Sequence, residues 1–571
     1  MTAVALAVCV AVGGAGCSVI PLSSAPIAPD AADAGAALGG SFQRLVPTKP
    51  RPEWRPDQVV MGMQAAMAAY ADEGQDKTLW RYLTPQARKD WNPHVPVSVL
   101  DQLEVKLSGP PDAEARVQIS GNIIAEIRAD GRYVPMTAPS PFSRWVTLDK
   151  TRDQGYVVSG LSFDGLLLTA ADVERSYEDA KLYYLDNNDN PVLDLVKIRR
   201  KPTENLAEGI VARLAQGPSE ALRDAVHSAL PPGTRVLSVQ KRGEAVVVDL
   251  GGAFDPDRIG NPEGLKVQLG ASLRNQVNGR VIEVLHDGEP FYGTSPLTIS
   301  PSDYQPSQPQ PLLANAYVLR DGAVLREQEP RKEFSDWVPR GMQPRPDFKD
   351  PAVSADGARI AVSGSDGIWV HQDSQWRLWI RGTGLVSPAW RPDGTLWTYD
   401  PARQTFLRFD PQGGGQQPTQ IPAPTLTGET VERIKFARDG VRLAIIARDA
   451  GQGQSVQVGT ILPGQVGNFR KLLEAKASKD REEIVDVAWE NVEQLLVLTD
   501  QAITRVHLVT GPMQNVGGTI KDANSIASFG GRTLVGTDTR VLELDSTQKL
   551  EPLGNIKEGL PAYPAFLSER P

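Results

Sequence analysis

Residues 351–362, PAVSADGARIAV, and residues 388–397, PAWRPDGTLW, are two copies of one short pattern. In each copy an apolar segment leads into Asp-Gly and a second apolar segment follows. The pattern returns at residues 434–446, IKFARDGVRLAII, and in weaker form at 487–498 and 525–535. Because Asp-Gly favours the positive φ angles of a type I′ turn, each copy predicts a β-hairpin.

The spacing of the copies indicates how the hairpins are arranged. Equivalent turn positions 356, 393, 439, 492 and 530 lie 37, 46, 53 and 38 residues apart, close to the roughly 40–50 residues of one propeller blade. Residues 312–571 have room for about six such blades, and an opening blade is predicted around Asp321-Gly322. The repeats resemble those of TolB-type six-bladed propellers, so we expect a C-terminal β-propeller over 312–571.

A second patterned region covers residues 181–300. Apolar residues four apart predict helices over 206–214 and 265–277. The Leu-x-x-Gly-Pro end of the first helix, the strand VVVDL at 246–250 and the terminal turn Asp287-Gly288 together resemble the GerMN domain. This is an α+β module of spore-germination and sporulation proteins, and residues 181–300 are therefore predicted to adopt its fold.

Residues 46–180 change from a helical to a strand pattern. Apolar residues at i, i+3 and i+7 from Val60 predict one helix, and Thr84-Pro85 predicts the start of another. After Pro111 the apolar period becomes two, which is typical of strands. We expect an N-terminal α+β domain, similar in pattern to the nuclear-transport-factor-like fold. Residues 301–311 contain four prolines and are predicted to link the α+β domains to the propeller.

Composition excludes several classes of protein. The chain has 571 residues, a net charge of −9 and 40% hydrophobic residues, so it has enough apolar surface for several folded domains. Lys and Arg are scattered rather than clustered, which argues against nucleic acid as a partner. The two cysteines are Cys9 and Cys17, so the chain is free of thiols beyond residue 17.

The first residues predict an exported protein. Residues 1–16, MTAVALAVCVAVGGAG, suit the apolar core of a signal peptide and are short of the about 20 residues of a membrane span. The run ends at Gly16-Cys17, which resembles the lipobox of bacterial lipoproteins. That resemblance implies cleavage between Gly16 and Cys17, with S-diacylglycerol and an N-acyl chain, such as palmitate, on Cys17.

Two features depart from the lipobox pattern. Gly14 stands where lipoproteins usually have Leu, and no basic residue precedes Arg44. The missing basic segment predicts that translation starts upstream of Met1. Residues 17–45 are rich in Ala, Ser, Pro and Gly, a composition that predicts a flexible tether between the anchor and the folded domains.

A search for catalytic and ligand-binding patterns finds little. The five histidines are far apart in the sequence, and Asp186, Asn188 and Asn190 match an EF loop only at its first three ligand positions. A plain hairpin turn is predicted there. We therefore expect no metal, no cofactor and no catalytic residues. Five tryptophans crowd one part of the propeller region and are predicted mainly to pack between blades: Trp369, Trp376, Trp379, Trp390 and Trp397.

The order of these parts is itself informative. With a lipobox, a helix-to-strand domain, a GerMN module and a propeller, the chain is identified as a member of the actinobacterial LpqB lipoprotein family over essentially its full length. The segment GLLLT at 165–169, leading into Tyr177 and LYYLD at 182–186, carries the resemblance across the first domain junction.

The resemblance implies a non-enzymatic accessory protein on the extracytoplasmic face of the cell membrane. Such a protein contacts the extracellular domain of the MtrB sensor kinase. Through the MtrA response regulator it influences cell-envelope homeostasis and division. Two alternatives stay open at this stage: binding of cell-wall glycans through the tryptophan-rich blades, and a hydrolase or lyase on the propeller channel.

Overall fold

The computed structural model describes residues 48–70, 78–110, 113–200, 205–304, 315–328, 333–337, 345, 347–412, 417–451, 453–475, 483–545, 547–553, 556 and 558–565. The predicted signal peptide, the lipidation site and the tether lie outside these residues. Two α+β units and a β-propeller follow one another along the described chain.

The first unit packs three helices against one sheet. Its helices are α1 (Pro56–Ala68), α2 (Pro85–Asp90) and α3 (Ala170–Ser176), and its strands are β1 (Val97–Ser108), β2 (Glu114–Ile127), β3 (Tyr133–Thr151), β4 (Gly155–Leu161) and β5 (Leu167–Thr169). The sheet order is β4-β3-β2-β1-β5, with β5 parallel to β1 and the other pairs antiparallel. The predicted α+β fold is confirmed.

Local sequence explains where these helices begin. Proline is at the first position of α1 and α2, where its missing N–H costs no hydrogen bond. The Thr84 side chain caps α2 by accepting from the backbone N–H of Ala87 at 3.2 Å, as the Thr84-Pro85 pattern predicts. Helix α1 buries Val60, Met63 and Met67 against the sheet, and these residues lie in the first hydrophobic core.

The second unit consists of a hairpin, a mixed sheet and three helices. The elements in chain order are β6 (Tyr177–Leu185), β7 (Pro191–Arg199), α4 (Leu206–Ala215), β8 (Thr234–Arg242), β9 (Ala245–Gly252), α5 (Pro262–Val277), β10 (Val281–His286), β11 (Glu289–Pro290), β12 (Leu297–Ile299) and α6 (Pro301–Tyr304). Strands β6 and β7 form the hairpin, and the sheet runs β11-β10-β9-β8 with β12 beside β10.

Two details of this unit bear on the expectations from sequence. Asp186 closes the β6–β7 turn by accepting from the backbone N–H groups of Asn188 and Asn190, both at 2.8 Å, so the predicted hairpin turn is confirmed. Residues 301–304, at the start of the predicted linker, form the helical turn α6. Asp303 caps this turn by accepting from the N–H of Ser300 at 2.9 Å.

The propeller has six four-stranded blades. Blades 2 to 6 use strands that are consecutive in the chain: β16 (Lys349–Val353), β17 (Ile360–Gly364), β18 (Gly367–Gln372) and β19 (Gln375–Arg381); β20 (Ala389–Trp390), β21 (Leu396–Asp400), β22 (Thr405–Phe409) and β23 (Thr419–Pro422); β24 (Thr430–Phe436), β25 (Arg442–Arg448), β26 (Gln454–Leu462) and β27 (Gln465–Ala475); β28 (Ile484–Trp489), β29 (Gln494–Thr499), β30 (Ile503–His507) and β31 (Gly511–Val516); β32 (Ala523–Phe529), β33 (Arg532–Thr537), β34 (Val541–Leu544) and β35 (Leu550–Pro552).

Blade 1 is assembled from both ends of the propeller region. Its strands β13 (Tyr317–Arg320), β14 (Ala323–Gln328) and β15 (Glu333–Asp336) pair with β36 (Leu560–Ala562) in the order β15-β14-β13-β36. The C-terminal strand thereby closes the ring. Both the predicted blade number and the opening blade at Asp321-Gly322 are confirmed. We call the strands of each blade A to D, from the channel outward.

The repeats form hairpins as predicted, but the prediction of a type I′ turn is wrong for three of them. In the turns at Asp356, Asp393 and Asp439, the glycine has a positive φ, between 67° and 87°, but the aspartate before it does not. These A–B turns hold five or six residues instead of two, so the aspartate keeps an ordinary φ and its side chain accepts backbone N–H groups. Asp321-Gly322, which joins strands B and C of blade 1, does have two positive φ angles.

Candidate functional site

The propeller channel is the first place to look for a site. It is lined by the A strands of all six blades, and its free volume is about 120 Å³. The lining is mainly Pro, Ala and aromatic residues, with Lys435 and Arg438 as its charged members. No carboxylate or histidine is among the described residues that line it.

Arg438 lies at one end of the channel. Its guanidinium carbon is 4.3 Å from the centre of the Phe529 ring, and its Nη2 is 3.4 Å from the backbone oxygen of Ser528. Burial lowers the pKa of Arg438 from its ordinary value. The position of this guanidinium over an aromatic ring is a stabilising cation–π contact between blades 4 and 6.

The tryptophan cluster is largely used in packing. Trp390 donates its indole N–H to the backbone oxygen of Ala352 in the preceding blade at 3.2 Å, and Trp489 donates likewise to Lys435 at 3.0 Å. Trp397 is buried and donates to Thr395 at 2.9 Å. The predicted packing between blades is confirmed for Trp390, which bridges two blades. Trp369, Trp376 and Trp379 are half-buried and contact other aromatic rings.

One exposed tryptophan lies outside the predicted cluster. Trp145 on β3 of the first unit is 42% exposed, more than any of the five propeller residues. Its backbone N–H donates to the side-chain oxygen of Ser162, just past the end of β4, at 2.8 Å. Val146 and Leu148 of the same strand are buried, and because side chains alternate along a strand, Trp145 lies on the opposite, solvent-facing side of the sheet.

The two α+β units dock on one side of the propeller. Their contacts with it lie at the ends of the blades where strands A and B, and strands C and D, are joined; we call this side the docked face. Arg442 donates to the backbone oxygen of Leu193, and Lys181 forms an ion pair with Glu493. Val441 packs against Val192 and Leu222 in a small apolar core shared by the two domains.

The first unit also reaches the docked face. Arg470 on β27 donates to the backbone oxygen of Tyr133 at 3.4 Å, and Pro135 lies against the C–D turn at Gly511. Burial and the nearby guanidinium groups of Arg132, Arg442 and Arg128 lower the pKa of Arg470 to about 10. Residues of the first unit and of the propeller therefore meet around this side chain.

The charged residues at this junction have shifted pKa values. The pKa of Glu493 is lowered to about 2, chiefly by His507, whose Nε2 is 3.8 Å from the carboxylate, and by Lys181; burial opposes this shift. Asp194 is buried, which raises its pKa, although Ser219 donates to it through both its N–H and its hydroxyl. The ionised state of Glu493 stabilises the contact between the second unit and the propeller.

The opposite side of the propeller carries the B–C turns, and we call it the free face. Exposed polar side chains project from these turns: Arg403 and Gln404 in blade 3, Asp500 and Gln501 in blade 5, and Thr539 and Arg540 in blade 6. Among the residues that the structure describes, the contacts with the α+β units reported above lie on the docked face and not on these turns. Sequence alone did not indicate it, because which turns are covered depends on how the domains dock.

The sequence-predicted site residues Gly16 and Cys17 lie outside the described residues, so the lipidation site stays a prediction. Among the residues that the structure describes, no helix is long and apolar enough to span a membrane, and no group of three or more His, Cys, Asp and Glu side chains is placed to bind a metal.

Comparison with known families accounts for most of the chain. The family model described as "Lipoprotein LpqB, N-terminal domain" matches residues 49–174, and "Lipoprotein LpqB beta-propeller domain" matches residues 338–564. Between them, "Sporulation and spore germination" matches residues 181–291. The chain belongs to the LpqB lipoprotein family. The three matches follow one another in the order that the sequence patterns predicted: N-terminal domain, GerMN-like module and propeller.

Relatives named "Lipoprotein LpqB" cover nearly the whole chain. The protein from Thermobifida fusca is 25% identical, with 97% of each chain covered, and that from Streptomyces avermitilis is 23% identical, with 85% of each covered. Solved structures match part of the chain at low similarity. A nidogen/laminin complex covers 44% of this chain and 98% of its own, with 12% identity and a TM-score of 0.34.

Proposed function

We propose that this LpqB-family protein is a lipid-anchored accessory protein that binds the extracellular domain of an MtrB-like sensor kinase. Through this contact it modulates MtrAB two-component signalling in cell-envelope homeostasis and division. The relatives are named lipoproteins, which supports an anchor outside the plasma membrane. The proposal includes both the attachment of the protein to the membrane through a lipid on Cys17 and the kinase as its binding partner.

The observation that carries the proposal is the accessible free face of the propeller. The docked face is occupied by the chain's own α+β units, through Lys181–Glu493, Arg442 and the apolar contact of Val441. The free face presents polar turns from several blades on a rigid ring. A tether that holds this ring near the membrane raises its effective concentration around other membrane proteins.

We further propose that the protein acts by binding and not by catalysis. The described lining of the narrow channel offers a lysine and an arginine beside Pro, Ala and aromatic side chains. General acid–base catalysis most often uses a histidine or a carboxylate beside a substrate-sized space, and neither side chain is among the described residues of this lining. The channel of about 120 Å³ is smaller than the 300–1,000 Å³ of typical small-molecule sites.

Binding can be tested with purified components. The chain from Ser18 onward should bind the kinase extracellular domain directly, as measured by calorimetry or biolayer interferometry. Two added charges on the free face, Gln501→Arg and Thr539→Arg, should weaken binding at least roughly tenfold because they project from exposed turns. A matched charge change far from the propeller, Lys106→Glu, should leave the affinity unchanged.

The possible results show separately whether the protein binds the kinase domain and which part of the protein makes the contact. No measurable binding by the unaltered chain would overturn the proposed function. Binding that is weakened by Lys106→Glu but not by the two free-face changes would keep the function and place the contact on the first unit. The anchor is tested separately, by mass spectrometry of the membrane fraction for an acylated peptide that begins at Cys17.

A further inference from the structure

A cleft of about 430 Å³ separates the first and second units, well away from the propeller channel. Its walls come from the segment before β1, the turn after β2, strand β7 and helix α4. The turn after β2 and strand β7 are joined by a hydrogen bond from the backbone N–H of Lys197 to the backbone oxygen of Gly131, at 2.7 Å. Its volume falls in the range of small-molecule sites.

The cleft is lined by cations. Four side chains that are positively charged at neutral pH line it: Arg128, Lys197, Arg199 and Arg213. No Asp or Glu is among the described residues of the lining. Apolar side chains form much of the remaining wall, with Val97 and Ile127 on the first unit and Ile198 on the second. The cleft therefore combines positive charge with a hydrophobic surface.

The hydrogen bonds of the two inner arginines do not neutralise their charge. Arg213 donates to the backbone oxygens of Asp130, at 2.6 and 2.9 Å, and Gly217, at 3.2 Å. Arg199 donates through Nη2 alone to the backbone oxygens of Met67 and Ala68, at 2.8 and 3.2 Å. Carbonyl oxygens satisfy donors but carry no net charge, so these bonds leave the guanidinium charges able to attract an anion. The carboxylates of Asp130 and Asp194, which are not part of the described lining, offset part of the charge of Arg213.

Carboxylates near the cleft leave room for such an anion. Lys197 pairs with Asp179 at 2.7 Å, but the Asp179 side chain is 73% exposed. Arg128 pairs with Glu220 at 3.2 Å, where both side chains are also largely exposed. The exposed Arg128–Glu220 pair contributes little. The Lys197 side chain is only 12% exposed, so a bound anion would replace the exposed Asp179 as its partner. The Asp130 carboxylate accepts from the backbone N–H groups of Arg132 and Glu220.

We infer that the cleft binds a small organic anion, with one phosphate or carboxylate on a hydrocarbon body. Lys197, Arg199 and Arg213 hold the anionic group, and the hydrocarbon part lies against Val97, Ile127 and Ile198. Guanidinium groups match the geometry of both phosphate and carboxylate oxygens. Each Å² of apolar surface that the ligand buries adds roughly 25 cal/mol to binding.

The test uses short soluble probes and a matched pair of variants. Ala212 lines the cleft on α4 and is half-buried. Ala212→Glu adds a carboxylate to the cleft, and Ala212→Gln adds a side chain of almost the same shape without charge. The whole chain, carrying Cys17→Ser to prevent acylation, is titrated by calorimetry with hexyl phosphate, hexanoate, inorganic phosphate and 1-hexanol.

We expect hexyl phosphate or hexanoate to bind more tightly than inorganic phosphate, and 1-hexanol to give no measurable binding. Their relative affinities show which anionic group the cleft prefers. Ala212→Glu should bind the better probe at least roughly tenfold more weakly than Ala212→Gln. Lys197→Gln should also weaken binding, whereas Lys266→Gln, on the exposed side of α5, should not.

Three results would overturn the inference. They are the absence of binding by both hexyl probes at millimolar concentration, equal affinity of the two Ala212 variants, and equal binding of 1-hexanol and the anions. Circular dichroism and the thermal midpoint show whether each variant is folded, and the charge-neutral Ala212→Gln variant keeps the comparison valid if the added bulk alone disturbs the helix.

Discussion

Single aspartates do much to define the turns of the propeller. Asp439 accepts from the backbone N–H groups of Val441 and Arg442, both at 2.9 Å, and binds the Arg442 guanidinium at 2.5 Å. Its side chain is 2% exposed. Asp393 makes the equivalent bonds to Thr395 and Arg391, but its side chain is 32% exposed. The same motif therefore has different surroundings in two blades.

This difference predicts unequal costs of removing the two carboxylates. Asp439→Ala leaves the Arg442 guanidinium buried without its carboxylate and should destabilise the propeller by about 3 kcal/mol. Asp393→Ala should cost about 1 kcal/mol, because solvent can replace the lost bonds. Urea unfolding, monitored by tryptophan fluorescence, measures the loss of stability in both variants.

Asp439→Asn is the control for this comparison. It keeps an oxygen that can accept the two backbone N–H groups and loses only the ion pair, so its midpoint should lie between those of the unaltered chain and Asp439→Ala. Equal losses of stability in Asp439→Ala and Asp393→Ala would show that the burial of the Asp439–Arg442 pair does not increase its contribution to stability.

At the scale of elements, strand β36 is decisive. It pairs Pro561 with Val318 and Ala562 with Tyr317, and it supplies the A strand that blade 1 otherwise lacks. Blade 6 is joined to blade 1 by Arg532, which binds Glu327 through two nitrogens at 2.7 and 2.9 Å. Closure of the ring therefore involves a short strand, this ion pair and an apolar cluster in which Val318 and Leu325 of blade 1 pack with Leu534 of blade 6.

Truncation tests the role of this strand. A chain that ends at Glu558 lacks β36 and should lose several kcal/mol of propeller stability, because the edges of blades 1, 2 and 6 are exposed together. A chain that ends at Ala565 keeps β36 and should unfold like the full chain. Limited proteolysis and differential scanning calorimetry distinguish the two; identical melting of both chains would contradict the assigned closure.

Sequence patterns predicted most elements but not all of their details. The Asp-Gly repeats predicted the blades because each hairpin carries its own turn signal. Strand β36 could not be found in this way, since Leu560-Pro561-Ala562 is too short for a period of two and contains proline. The type I′ assignment was wrong at Asp356, Asp393 and Asp439 because the motif does not reveal how many residues separate the paired strands.

At the scale of the whole molecule, the α+β units and the propeller are held by contacts between residues far apart in the chain. Lys181 and Glu493 are 312 positions apart, and Arg442 and Leu193 are 249 apart. The cleft likewise combines residues from around positions 94, 128, 197 and 213. No local pattern predicts such pairings, so neither the docked face nor the cleft could be inferred from the sequence.

The docking of the second unit should depend on pH. The pKa of Glu493 is about 2 in the folded protein, below the value of about 4.5 for a free glutamate. Its stabilising effect is therefore complete above about pH 4.5 and is lost as the pH falls toward 2. Glu493→Gln should lower the thermal midpoint at pH 6, and this difference should disappear near pH 2.

Glu104→Gln provides the comparison for this pH series. Glu104 forms an exposed pair with Lys106 on β1, away from the propeller, and its removal should leave the midpoint almost unchanged at every pH. A Glu493→Gln effect that is the same at pH 6 and at pH 2 would contradict the assignment of the low pKa to the Lys181 and His507 contacts.

The position of β36 at the end of the chain sets the order in which the molecule can form. A ribosome releases the α+β units first, and each has its own core, so both can fold while the blades are still being made. The ring cannot close until residues 560–562 have emerged. Until then the edge of β13 that pairs with β36 is open, and a chain interrupted near its end would be a target for proteases and for pairing with other chains.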